Sequence, residues 1–98
     1  MASNVYDKGD EVRFSCTFKD LNGNAVDPTT VVFKIKDPSS NVTTYTYGTD
    51  SEVVKDSTGN YHVDYVVDES GTWSVRWEGS GNISAAGEQK IYVRISSF

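Results

Sequence analysis

Few residues in this chain have the types and spacing that chemistry requires. Cys16 is the single cysteine and His62 the single histidine. Zinc sites draw on ligand pairs such as CxxC or HxxxH, and neither spacing occurs. Cys16 falls on the apolar side of an alternating stretch, where a thiol lacks the electropositive surroundings that make it reactive. His62 lies on the opposite face from Tyr61 and Val63 and is expected to be exposed or partly covered. No serine is set in a nucleophile elbow or beside an oxyanion loop. Asp20, Asn22, Asn24 and Asp27 have a spacing that could wrap calcium. However, no bidentate Glu follows at the twelfth position, and Asn-Gly turns with flanking Asp are common without a metal. Asp7, Asp10 and Glu11 read as a solvated rim. A glycosidase carboxylate pair needs a sugar-sized groove, which a sandwich of this length rarely has. The expectation is a protein with no catalytic residue, metal or cofactor.

The elements that would position side chains are strands. Val12, Phe14, Cys16 and Phe18 alternate with Arg13, Ser15, Thr17 and Lys19, the period of a half-buried strand. The same period sets Val31, Phe33 and Ile35 against Val32, Lys34 and Lys36. It recurs in Tyr61, Val63, Tyr65 and Val67, in Trp73, Val75 and Trp77, and in Ile91, Val93 and Ile95. Val42 to Tyr47 has no clean apolar face and reads as an edge strand, and Glu52 to Lys55 as a short one. Turn residues stand between them at Asp20–Asn24, Asp37–Asn41, Asp56–Asn60 and Asp68–Gly71. Gly79 to Gly87 reads as a small-residue loop. About seven strands with turns every eight to fourteen residues predict an all-β, antiparallel β-sandwich. Residues 1–98 are expected to form one domain, with residues 1–10 as an edge strand or arm.

Composition agrees and limits the partners. Aromatics make up 12% of the 98 residues, and leucine and methionine occur once each, a balance that favours strands over helices. The formal net charge is −5, and the nine basic residues look scattered along the chain. A phosphate backbone asks for clustered Lys and Arg, so no nucleic-acid partner is expected. No apolar run approaches a membrane span and no signal segment opens the chain, so no membrane partner is expected either. A lone cysteine suits a chain made and folded in a cytoplasm.

Two stretches resemble an immunoglobulin domain without its disulfide. Val12-Arg13-Phe14-Ser15-Cys16 matches the strand of the first bridging cysteine. Glu69-Ser70-Gly71-Thr72-Trp73-Ser74-Val75 matches the facing strand, with Val75 in the position of the second cysteine and Trp73 in that of the corner tyrosine. Trp73 offers only an N–H donor where the family has a phenol. The resemblance implies a structural core of Phe14, Cys16, Phe33, Trp73, Val75 and Trp77, with Phe33 in place of the usual core tryptophan.

A second resemblance covers nearly the whole chain. Tyr6-Asp7-Lys8-Gly9-Asp10-Glu11-Val12, Asp27-Pro28-Thr29-Thr30-Val31, Asp37-Pro38-Ser39-Ser40, Val42-Thr43-Thr44-Tyr45, Gly59-Asn60-Tyr61-His62 and Gly71 to Gly79 follow one another. In this order they resemble the small immunoglobulin-like structural proteins of tailed-bacteriophage virions. That resemblance implies a particle component in the host bacterial cytoplasm and then in the virion. It would decorate the head or seal the head–tail neck, touching capsid, portal or neck proteins in multiple symmetry-related copies. The contact surface is expected at Tyr45 and Tyr47, since a Tyr-rich strand is a favourable binding face, and at Asn82 and Ile83 in the glycine-rich loop. A carbohydrate- or host-surface-binding adhesion module is the alternative.

Overall fold

The computed structural model describes residues 5–95. All regular structure there is strand, in chain order β1 (Val5–Asp7), β2 (Glu11–Thr17), β3 (Thr30–Lys36), β4 (Val42–Thr46), β5 (Val54–Ser57), β6 (Asn60–Val66), β7 (Gly71–Ser80) and β8 (Ala85–Arg94). They form two sheets, one ordered β1-β8-β7-β3-β4 and one ordered β2-β6-β5. The two sheets form an all-β sandwich. Eight strands lie among the described residues, the seven expected together with the expected edge strand, and not every pairing is antiparallel. β1 runs parallel to β8, with Val5 opposite Tyr92 and Asp7 opposite Arg94. Residues 5–7 thus form the expected edge strand, while residues 1–4 lie outside the described residues.

Period-two alternation sets the register because a slip of one residue would turn every apolar side chain to water. In β3, Val31, Phe33 and Ile35 are buried, and in β7 so are Trp73, Val75 and Trp77. β2 supplies Val12 and Phe14, and β6 supplies Tyr61 and Val63, to the same core. Phe33 is fully buried between the sheets. Its ring centroid lies 5.7 Å from Phe14 and 4.7 Å from Trp77. Phenylalanine therefore fills the centre of the core. A second aromatic group joins Tyr61 to Phe18 at 5.8 Å and to Tyr47 at 5.3 Å.

Three expected boundaries differ. The Gly79–Gly87 stretch is mostly strand: β7 continues to Ser80, β8 begins at Ala85, and Trp77 pairs with Gly87. Ile95 lies beyond β8 and is exposed. β5 is Val54–Ser57 rather than Glu52 to Lys55, with a register shift between Lys55 and Ser57. The two-residue turn Thr58-Gly59 then reverses the chain. Gly59 has φ +78°, and a Cβ there would lie 2.7 Å from the Phe18 carbonyl oxygen, so only glycine fits without a shift.

Candidate functional site

Cys16 and Val75 line one cavity of about 240 Å³, with Phe18, Trp77, Ala85 and Gly87 among its other walls. The cavity opens between β2 and the first half of β8. Inward-facing Gly87 has no side chain to close it, and a Cβ at that position would meet no atom. Cys16 is half-buried rather than fully enclosed. Burial pushes its thiol up to about 12 from an ordinary value of 9.0. At neutral pH it is protonated and a poor nucleophile.

His62 is buried, contrary to the sequence expectation. It sits on the outer face of the three-stranded sheet, opposite Ser15 on β2 and Val54 on β5. Asp56 and Asp64 cover it. Nδ1 lies 2.8 Å from both Asp56 carboxylate oxygens, and Nε2 lies 3.9 Å from Asp64. Arg13 donates to Asp64 through two nitrogens at 2.8 and 3.0 Å and holds that carboxyl below its ordinary value. A serine-activating histidine aims one nitrogen at the hydroxyl and the other at a carboxylate. Here both nitrogens point toward carboxylates, which makes the group a clamp between neighbouring strands.

The loop carboxylates are engaged by the chain's own backbone. Asp20 accepts from the amides of Asn22 and Asn24 at 2.9 and 3.0 Å, an Asx turn rather than an ion cage. Asp27 is turned away from that loop. It accepts from Lys55 Nζ at 2.7 Å, the Gly59 amide at 2.8 Å and the Tyr61 hydroxyl at 3.0 Å. These donors, Lys55 first, hold its carboxyl below the ordinary value. Burial, and then Asp27, push the Tyr61 phenol up to about 12. Among the described residues no group of acidic, histidine and cysteine side chains is arranged to hold a metal ion.

The four residues expected at a contact surface are partly engaged within the molecule, with Tyr47 and Asn82 both near the start of β3. Tyr45 pairs with Phe33 and so points into the sandwich, where burial raises its phenol above the ordinary value. Tyr47 shares that face, edge-on to Tyr61, and stays 43% exposed at the rim. Asn82 is tied to the start of β3: its side-chain oxygen accepts from the Thr29 amide at 2.9 Å, and its side-chain nitrogen donates to the Asp27 carbonyl at 3.1 Å. Ile83 is partly buried against the core. The β4 edge is partly closed as well. The Thr46 amide, which points away from β3, donates to Asp50 Oδ2 at 2.8 Å, and the Thr46 carbonyl accepts from the Asp50 amide.

Sequence reading missed a different surface, the outer face of the five-stranded sheet. Five of the nine basic residues gather on it. Register places Lys34, Lys36, Arg76, Lys90 and Arg94 on this face, with Asp7, Glu78 and Glu88. The signal was present in the polar partners of the apolar alternation, but only strand order brings them side by side. Arg76 donates to Glu78 and Glu88, each at 2.6 Å, and Lys34 lies 3.3 Å from Glu78. Arg76, then Lys34, hold the Glu78 carboxyl below its ordinary value. Arg94 pairs with Asp7 at 2.6 Å.

No protein-family model matches this chain, and no curated protein is similar to it in sequence.

Proposed function

We propose that this protein is a non-enzymatic structural component of a tailed-phage virion, a head-decoration or head–tail neck protein acting through protein–protein contacts. The observation that carries this reading is a core held without a disulfide: Cys16 is a free thiol packed against the cluster that includes Phe14, Phe33, Val75 and Trp77. A sandwich that holds together without a bridge suits assembly in a reducing bacterial cytoplasm. The motif order from Tyr6 to Gly79, which resembles virion immunoglobulin-like proteins, supports the same reading. Carboxylates that satisfy the chain's own turns suit a rigid building block. Each copy would bury roughly 800 Å² against its neighbours, and repetition over a symmetric particle would multiply weak contacts into retention.

The test is mass spectrometry and cryo-electron microscopy of purified particles from a phage that encodes the protein. The expected result is symmetry-related density that fits this sandwich. A particle proteome that lacks the chain would overturn the proposal. In the alternative reading as a glycan-binding module, exposed aromatics would line one groove. Among the described residues the most exposed rings, Tyr47 and Tyr92, lie instead toward opposite edges of the five-stranded sheet.

A further inference from the structure

The positive surplus on the outer face of the five-stranded sheet is concentrated in two side chains. Arg76 and Lys34 are offset by Glu78 and Glu88, and Arg94 by Asp7. Lys36 and Lys90 are left, and among the described residues neither has an acidic partner. They are not independent neighbours. Lys36 pairs with Ser74 on β7, and Ser74 pairs with Lys90 on β8, so the three stand in one row across three strands. Strands lie about 4.8 Å apart, which puts the two lysine backbones roughly 10 Å from each other with the serine between them. The short serine leaves a trough of about 400 Å³ walled by the two lysines, Lys34, Arg76 and Val42, with the Arg76-bound Glu88 on the same wall. The Ser74 hydroxyl also has no partner among the described residues. Two lysine side chains and a hydroxyl donor thus line one shallow space.

We infer that the Lys36–Ser74–Lys90 row is a docking surface for carboxylate side chains of an acidic protein segment. The inference rests on the proposed role in protein–protein contact and names the chemistry of the partner. Charge complementarity selects an anion, because these are the unneutralised cations of the face on a chain of net charge −5. The row is flanked by apolar surface, which selects a protein segment over nucleic acid. Val42 lies at one end at 58% exposure, and Tyr92 follows Lys90 on the same face of β8 at 46%. Tyrosine is a frequent anchor at protein interfaces.

The test is titration of the isotope-labelled protein with N-acetylated octaglutamate, followed residue by residue by NMR. Saturable shifts are expected at Lys36, Ser74, Lys90 and Tyr92. The Lys36→Ala/Lys90→Ala double variant should bind at least tenfold more weakly while keeping its dispersed spectrum. Ser74→Ala should weaken binding severalfold. Shifts centred elsewhere, unchanged affinity in the double variant, no binding, or tighter binding of octathymidylate at the same row would each overturn the inference. Particle composition is measured separately. A protein found in particles that does not bind octaglutamate would lose this surface but keep its structural role. A protein that binds the peptide at this row yet is absent from particles would lose that role alone.

Discussion

The indole nitrogen of Trp73 lies 2.9 Å from the carbonyl oxygen of Glu69 and donates to it. This bond closes the corner before β7 in the way a tyrosine hydroxyl does in immunoglobulin domains. An N–H at the edge of a larger ring thus does the work of a phenol. The corner is braced from outside: the Ser39 hydroxyl donates to the Glu69 carboxylate at 2.6 Å, and Gly71 stands so close to Pro38 that a Cβ would collide with it.

Trp73→Phe removes both the donor and ring volume from a buried site. A loss of about 2–4 kcal/mol is expected. Trp73→Tyr can restore a donor and should recover about 1 kcal/mol of that loss. Urea unfolding of the two variants measures the difference. Equal midpoints would show that the corner bond contributes nothing.

Val75→Cys should pair with Cys16 under mild oxidation, since both residues line one cavity from facing sheets. The bridge would add about 2–4 kcal/mol through its constraint on the unfolded chain. Before that change, Cys16 should react slowly with thiol reagents. A thiol at about 12 rather than 9.0 has a thiolate fraction about a thousandfold smaller at pH 8. A folded Val75→Cys protein that stays reduced would mean the two side chains do not face each other.

Stability should form a plateau in pH with different causes at its two ends. Cys16 and Tyr61 hold their protons more tightly when folded, both at about 12, against ordinary values of 9.0 and 10.0. Their contribution is complete below about pH 9 and is lost as the pH rises toward 12. Asp27, Asp64 and Glu78 have folded values below their ordinary 3.8, 3.8 and 4.5. Their contribution is present above those values and lost as acid titrates the depressed groups. Thermal midpoints across pH 2 to 11 test this. A midpoint that rises between pH 9 and 11 would contradict the alkaline half.

Asp50 bonds the outward amide of Thr46 and so blocks part of an edge strand that contains no charge, proline or glycine. Such edges invite pairing with other chains. Asp50→Ala should leave the fold intact and raise self-association at high protein concentration. Light scattering against the parent protein checks this, and identical scattering would show that the cap is not what protects the edge.

The sandwich was legible because β2, β3, β6 and β7 carry an apolar residue at every second position, and that face of each had to be dry. The second half of the β7–β8 ladder was not. Ala85, Ala86 and Gly87 have weak strand preferences and gain their conformation only by pairing with Gly79, Glu78 and Trp77. His62 was misjudged because alternation reports which sheet face a residue takes, not what covers that face. Its cover comes from Asp56 at an irregularity in β5 and from Asp64, which Arg13 fixes from β2. Tyr45 and Asn82 were legible as residues able to bind, but not as residues already bound within the molecule. The lysine row was hidden because its members lie far apart in the chain and meet only through strand order.

The parallel pairing of β1 with β8 has a mechanical consequence. The two strands run in the same direction, so tension applied at Val5 and Ile95 draws them past one another lengthwise. Their hydrogen bonds and the Asp7–Arg94 ion pair then share the load at once instead of opening one at a time. Among the described residues, this junction is where a stretched molecule would first resist. Single-molecule pulling from those two positions should show one abrupt rupture rather than gradual peeling.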